Sequence, residues 1–284
     1  MLNNWIFWVI LYLIFAVIFS QTFKKTNRGM EDAGALTILL ELFTALFALL
    51  FLPLFDFKVS NDINIYITLG IVMIIYAVTD RLNIEARYGL EPSTFSMLKQ
   101  LSTVFLVILG IIFLGEDILF NQIIGGVLII TSNILLAVDK EGNFSFNKYF
   151  IMSFVSNFLF AIAMLINVNI SSEFNLALYT IFTVSVPALL IFIFGRYNLK
   201  KLKHEFELYD KKKFLLASFS WTVMLISSVR AYQLESVSVV APLLTLTVIL
   251  NVIYEFLINK NRKELITKLI LGSLIVIGVI LIKM

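Results

Sequence analysis

The stretch AGALTILLELFTALFALLFLPL (33–54) decides what kind of chain this is. It runs twenty-two residues with one ionisable group, Glu41, and a helix needs about 20 mostly apolar residues to cross a bilayer. Glu41 lies eight residues inside the run and near neither end, too deep for its carboxylate to reach water easily. The residues around it recur at helical spacing. Gly34, Thr37, Glu41, Thr44 and Ala48 are 3, 4, 3 and 4 apart, so small and polar groups form one stripe on an otherwise apolar rod.

Similar runs fill the chain. They fall at about 4–20, 33–54, 65–89, 93–114, 121–138, 148–170, 174–195, 214–234, 236–257 and 265–282. Of the 284 residues 60% are hydrophobic and 14% charged. A soluble domain carries about 25% charged residues. A water-soluble globule, a disordered chain and a nucleic-acid binder are therefore excluded, and the runs are continuous rather than alternating, which argues against a β-barrel. The expected fold is all-α and integral to the membrane, with about ten spans. The first run has no basic leader and no clean small-residue cleavage site, so it is read as a helix and not a signal peptide. The chain has no cysteine and one histidine, His204. Disulfides, thiolate metal sites and histidine-rich metal or proton-relay sites are ruled out. No cofactor is expected.

Two polar stretches interrupt the pattern: 139–147 (DKEGNFSFN), read as a linker at mid-chain, and 196–213 (RYNLKKLKHEFELYDKKK), read as a solvated cytoplasmic loop, with binding of a nucleotide or anionic lipid as the alternative. The two halves resemble each other. Tyr88-Gly89-Leu90-Glu91 and Tyr232-Gln233-Leu234-Glu235 each precede a span, a turn and a glycine-bearing last span. IIGGVLII (123–130) matches ILGSLIVI (270–277). Two units of five spans, 1–141 and 142–284, follow from this. Five is odd, so the second unit enters the bilayer in the opposite sense. Such inverted repeats are typical of transporters that bind substrate at the midplane.

At these residues the chain resembles a known family. FLGEDILFNQIIGGVLIITSNILL (113–136) is similar to the closing segment of an EamA-type half in the drug/metabolite transporter superfamily. ARYGLEPSTFSMLKQLSTVF (86–105) is similar to the family's joint between the third and fourth helices, and Pro242 sits where the second half often has a proline. The resemblance spans nearly the whole chain in two copies, and it implies the ten-helix inverted repeat and a transport function. It implies no particular substrate. Three places depart from the pattern. Glu41 stands near the place of a frequent arginine. The second half has Ile258-Asn259-Lys260 in place of a Gly-Glu ending. Asp80 and Arg81 are extra charges on the third span.

Polar stripes mark the faces that turn from lipid. The third span gives Tyr76, Asp80, Asn83 and Arg87, the fourth Ser93, Ser96, Gln100 and Thr103 beside Lys99, and the eighth Ser218, Trp221, Leu225, Ser228 and Tyr232. The first gives Trp5, Trp8 and Tyr12. In the ninth, Ser238, Pro242 and Thr245 share a face, with Asn251 and Glu255 beyond. Gly34, Ala48, Gly125 and Gly126 suit helix packing. Trp5 and Trp8 also suit an interfacial belt. Pro187 and Pro242 stand inside spans, as kinks or as cavity-lining breaks. Glu116 and Asp117 belong to a turn. Arg81, Glu85, Arg87 and Glu91 are spaced for i,i+4 pairs near the membrane surface.

The candidate substrate site comprises Glu41, Trp8, Tyr12, Tyr76, Asp80, Gln100, Trp221 and Tyr232. A carboxylate among aromatic rings suits an amine or organic cation, and if Lys99 or Arg230 neutralises Glu41 the cavity suits an amino acid. Burial disfavours a charged carboxylate, so Glu41 is also a candidate to carry a coupling proton. Lys99, Gln100, Asn157, Asn167 and Arg230 are its candidate partners. The expected function is secondary transport of a small polar metabolite by alternating access, in the lipid bilayer, with a small-molecule substrate and a coupling proton or ion. No P-loop is present, so ATP is not the direct energy source in this chain. The alternatives are an intramembrane enzyme, for which His204 alone supplies no Ser–His pair, and a channel or scaffold, for which no pore signature appears.

Orientation follows from charge. The loops after odd-numbered spans carry Lys24, Lys25, Arg28, Lys140, Lys148, Arg196, Lys200, Lys201, Lys203, Lys211, Lys212, Lys213, Lys260, Arg262, Lys263 and Lys268. Clear of the spans, the other side has only Lys58 and Lys283. Positive loops stay cytoplasmic, so both termini are expected outside the cell membrane.

Overall fold

The computed structural model describes residues 2–114, 119–137, 147–167, 170–260 and 262–284, and among these every regular element is helical. The helices are α1 Trp5–Thr26, α2 Ala33–Ala48, α3 Ile63–Gly89, α4 Pro92–Lys99, α5 Leu101–Leu109, α6 Phe120–Ala137, α7 Lys148–Asn167, α8 Leu176–Phe194, α9 Leu199–Glu207, α10 Lys211–Leu234, α11 Val237–Thr245, α12 Thr247–Asn259 and α13 Arg262–Lys283. A 3-10 segment, Leu49–Leu54, extends α2. Among the described residues nine helical segments are long and apolar enough to cross a membrane, α4–α5 and α11–α12 each counting as one, and Phe120–Leu136 is a shorter apolar helix. The chain is a multi-pass membrane protein. At 1.5 Å per residue the 18 residues of α6 span about 27 Å, close to the ~30 Å hydrocarbon core.

Side-chain caps set six of the helix starts. Asn4, Asp32, Asp62, Asn175, Asn198 and Asp210 each accept a hydrogen bond from an amide in the first turn that follows, as short polar residues do at an N-cap. The fourth span breaks at Gln100 and the ninth at Leu246. Neither break carries a glycine or proline, although Pro242 lies one turn before the second. The stretch 196–213, expected as a loop, holds the helix α9, a correction with a physical reason. Leu202 and Glu205 share one face of LKKLKHEFE and are buried against the start of α2, while the lysines face out. The expected linker, and Glu116 and Asp117, lie outside the described residues except for Asn147.

The interhelical contacts follow one rule. α1 packs on α10 and α3 on α7; α2 packs on α8, α6 on α13 and α4 on α12; α2 also touches α10, and α3 touches α8. Exchanging first with sixth span, second with seventh and so on leaves this set unchanged. Loops with odd ordinal share one face: Lys24 Nζ donates to the Tyr88 and Leu90 carbonyls, Lys148 pairs with Glu85, and Lys201 with Asp32. Loops with even ordinal share the other: Lys58 pairs with Glu173, and Asn175 donates to the Phe55 carbonyl.

α6 and α13 meet backbone to backbone. A Cβ at Gly125 would drive into the carbonyl oxygen of Gly278, whereas one at Gly126 would stand 3.8 Å from Val104 Cγ1 in ordinary contact. Small residues at such crossings let helices approach closely in lipid. Gly125→Ala is expected to destabilise the protein by about 1–3 kcal/mol through overpacking. Gly126→Ala should be neutral or slightly stabilising, because alanine is the better helix former. Thermal unfolding of the two variants in detergent checks the contrast.

Candidate functional site

The site is built from the start of α2. Asp32 caps that helix through the Ala35 amide at 3.0 Å and also accepts from the Tyr197 hydroxyl and from Lys201 Nζ, each at 2.6 Å. Burial opposes ionisation of Asp32, but those three bonds outweigh it and hold its carboxyl down at about 2. Burial, and then the bond to Asp32, push the Tyr197 hydroxyl up to about 12. One residue back, the buried Glu205 carboxylate accepts the Glu31 and Asp32 amides and the Tyr209 hydroxyl. α2 is thus anchored to α9, and its stripe turns inward: Thr37, Glu41, Thr44 and Ala48 are fully buried. Part of the stripe is packing surface, since Thr222 Oγ1 donates to the Thr44 carbonyl at 3.1 Å.

Glu41 is the exception. Among the described residues neither of its oxygens has a hydrogen-bond donor, and its interacting neighbour is a second carboxyl, Asp80 of α3. Glu41 stands eight residues from the start of α2 and Asp80 nine from the end of α3, so at 1.5 Å per residue both lie about 12–14 Å below the odd-loop face. Two carboxylates in contact cannot both be charged cheaply, whereas a single shared proton supplies the donor that Glu41 lacks. Lys99 and Arg87 act electrostatically on Asp80, and Arg87 on Tyr12. Asp80, Arg87, Lys99, Tyr12 and Tyr232 lie deep among the helices yet keep accessible surface. Tyr76 stacks on Phe160 at 6.3 Å between centroids, and Lys99 Nζ stands 5.8 Å from the centre of the same ring.

Toward the odd-loop face aromatic rings close over Arg87. The Arg87 guanidinium lies 3.9 Å from the ring centre of Phe95 and 4.9 Å from that of Phe19, and Trp221 stacks on the far side of the cluster against Phe19 at 5.5 Å. Beyond Arg87 a crevice is lined by Ser20, Phe23, Lys24, Leu90 and Pro92. Two ties between the halves reinforce this closure. The buried Glu255 carboxylate accepts the Ser93 amide at 2.7 Å, the Ser93 hydroxyl, and Lys268 Nζ at 3.2 Å. Gln21 Nε2 donates to Asn251 Oδ1 at 3.0 Å.

The expected site residues separate into groups. Glu41 and Asp80 meet. Tyr12, Tyr76 and Tyr232 keep accessible surface, and Gln100 marks the break in the fourth span, its amide donating to the Ser96 carbonyl. Trp221 serves as backing for Phe19. Trp8 is 1% exposed, its indole donating to the Leu2 carbonyl at 2.9 Å, and it packs on Phe55. As a partner of Glu41, Arg230 is corrected: it bonds Gln233 and Asn3 at the even-loop face. Lys99 acts electrostatically on Asp80 rather than on Glu41. Asn157 ties α7 to the Leu98 carbonyl; the side chains of Asn167 and Ser238 lie outside the described residues. The i,i+4 pairs are also corrected: Glu85 pairs with Lys148 at 3.4 Å, and Arg87 turns inward. Phe19 and Phe95 were missed, although Phe19 continues the Trp8–Tyr12 stripe at helical spacing.

Comparison with known proteins adds a family and a fold. Residues 3–138 match the sequence model of the EamA-like transporter family. A solved structure described only as "Crystal structure of protein" superposes with a TM-score of 0.50 at 11% identity, covering 97% of each chain, a likeness of fold alone. No curated protein matches.

Proposed function

We propose, for a chain whose residues 3–138 belong to the EamA-like transporter family, a secondary transporter that moves a small polar metabolite by alternating access. One observation carries the reading. A fully buried carboxyl with no donor among the described residues faces a second carboxyl, on which Lys99 and Arg87 act, deep in the bundle. A charge at mid-membrane costs about 2.5–3.5 kcal/mol even on the lenient insertion scales, and such residues mark substrate or proton paths. Two carboxyls and two cations favour a zwitterion among the amines, organic cations and amino acids considered. Its ammonium would sit at Glu41–Asp80 and its carboxylate at Lys99. The shared proton would leave when the ammonium arrives.

The halves, 1–141 and 142–284, act as inverted repeats that rock about this site. Support comes from the contact set that survives exchange of the halves, in which α2–α8, α4–α12 and α6–α13 map onto themselves. The charge bias puts the odd loops in the cytoplasm and both termini outside the cell membrane. Since the chain lacks cysteine, Lys212→Cys is a clean probe. It should resist an impermeant maleimide in intact cells and react after permeabilisation; labelling in intact cells would invert the orientation.

Counter-flow tests the function. Proteoliposomes loaded with an unlabelled panel of amino acids and quaternary amines should transiently accumulate the matching labelled compound above equilibrium. Equilibration without overshoot would indicate a channel, and chemical conversion of the label an enzyme.

A further inference from the structure

The lipid-facing stripe of α3 runs Ile67, Ile71, Ile74 and Val78, all exposed, with spacings of 4, 3 and 4. The next position in that rhythm is Arg81, also exposed, eight residues before the end of the helix. Among the described residues it has no carboxylate or hydrogen-bond partner, because Glu85, the acid one turn on, is taken by Lys148. An arginine about 12 Å inside a span is costly unless its head reaches the interface. Arg81 acts electrostatically on Tyr197, in the 195–198 turn. The neighbouring helix α8, which α3 touches, presents a matching end. Leu189, Ile193 and Phe194 are exposed, Phe194 at 80%, and are followed by Arg196 and Lys200, exposed and without an ion-pair partner among the described residues. The turn is fixed, with Arg196 at φ 53° and Tyr197 bonded to Asp32. The nearby acid Asp32 is already neutralised by Lys201.

We propose that the groove between α3 and α8 at the odd-loop face is a binding site for one anionic phospholipid, its phosphate held by Arg81 and Arg196 with Lys200 at the rim and its acyl chains lying on Ile74, Val78, Leu189 and Ile193. Guanidinium groups match phosphate oxygens in geometry as well as charge, and basic recesses between spans are where anionic headgroups lodge. The bound lipid joins α3, which carries Asp80, to α8 of the other half. This inference needs only the membrane-spanning fold and is independent of the transported substrate.

The test is native mass spectrometry of the purified full chain in detergent, titrated with phosphatidylglycerol or phosphatidylcholine. The wild type should retain one phosphatidylglycerol at least tenfold more tightly than phosphatidylcholine. Arg81→Gln/Arg196→Gln should lose that preference, Arg81→Lys should keep part of it, and Lys25→Gln, an exposed cation elsewhere on the same face, should leave it intact. Should the double variant fail to fold, single Arg196→Gln read against Lys25→Gln decides. Equal retention of the two lipids, an undiminished preference in the variants, an equal loss in Lys25→Gln, or full displacement by inorganic phosphate at the same concentration would overturn the proposal.

Discussion

Glu41→Gln should abolish transport while leaving the protein inserted and as stable as before. The substitution keeps shape and volume. Because Glu41 has no donor to lose, the new amide gains the option of donating to Asp80. What disappears is the ability to carry a charge or a proton beside Asp80. Loss of a desolvated charge contact of about 2 kcal/mol or more corresponds to a fall of roughly 30-fold or greater in counter-flow. Asp80→Asn should act in the same direction. It also deprives Lys99 and Arg87 of the carboxylate they act on, so it should cost stability as well. Unchanged counter-flow in correctly inserted Glu41→Gln would remove Glu41 from the site and take the amine-binding reading with it.

Glu255→Ala should give the largest stability loss of any single polar substitution considered. The carboxylate takes the Ser93 amide, the Ser93 hydroxyl and Lys268 in a buried place where the two halves meet. Removing it strands an amide at the first turn of α4 and leaves Lys268 with Glu264 alone. Breaking a buried charge network of this kind costs about 3–5 kcal/mol. A fall of several degrees in the thermal midpoint in detergent is the expected reading. Lys203→Ala, which removes an exposed pair at 3.9 Å, should change nothing measurable. A Glu255→Ala midpoint equal to that of Lys203→Ala would show that the tie does not hold the halves together.

The spans were legible because bilayer thickness imposes a run length on the sequence. The ends of α2, α3 and α10 fall within a few residues of the expected ones. The inward stripe of α2 was legible for a similar reason: lipid tolerates small polar groups only where another helix covers them. α9 was missed because its helical rhythm is hidden by charge. Its inward acid, Glu205, is explained only by two amides some 170 residues away in the chain. The depth of Glu41 in its span flagged it, but its neighbour could not be found that way. Asp80 lies on another helix, and periodicity says which face a residue takes, not which face it meets. Arg87 shows the same limit. Sequence spacing offered Glu91, whereas the fold offered two phenylalanine rings, and in low dielectric the rings are a competitive home for a guanidinium.

Under the proposed mechanism one site, beside Gln100 at the break of the fourth span, opens to either side of the membrane in turn. Gln100→Cys in this cysteine-free chain tests it without knowledge of the substrate. Impermeant maleimide applied to right-side-out and to inverted membrane vesicles should label the residue in both preparations. Pre-treatment from one side should block labelling from the other. Labelling confined to one preparation, or to neither, would contradict alternating access at this site.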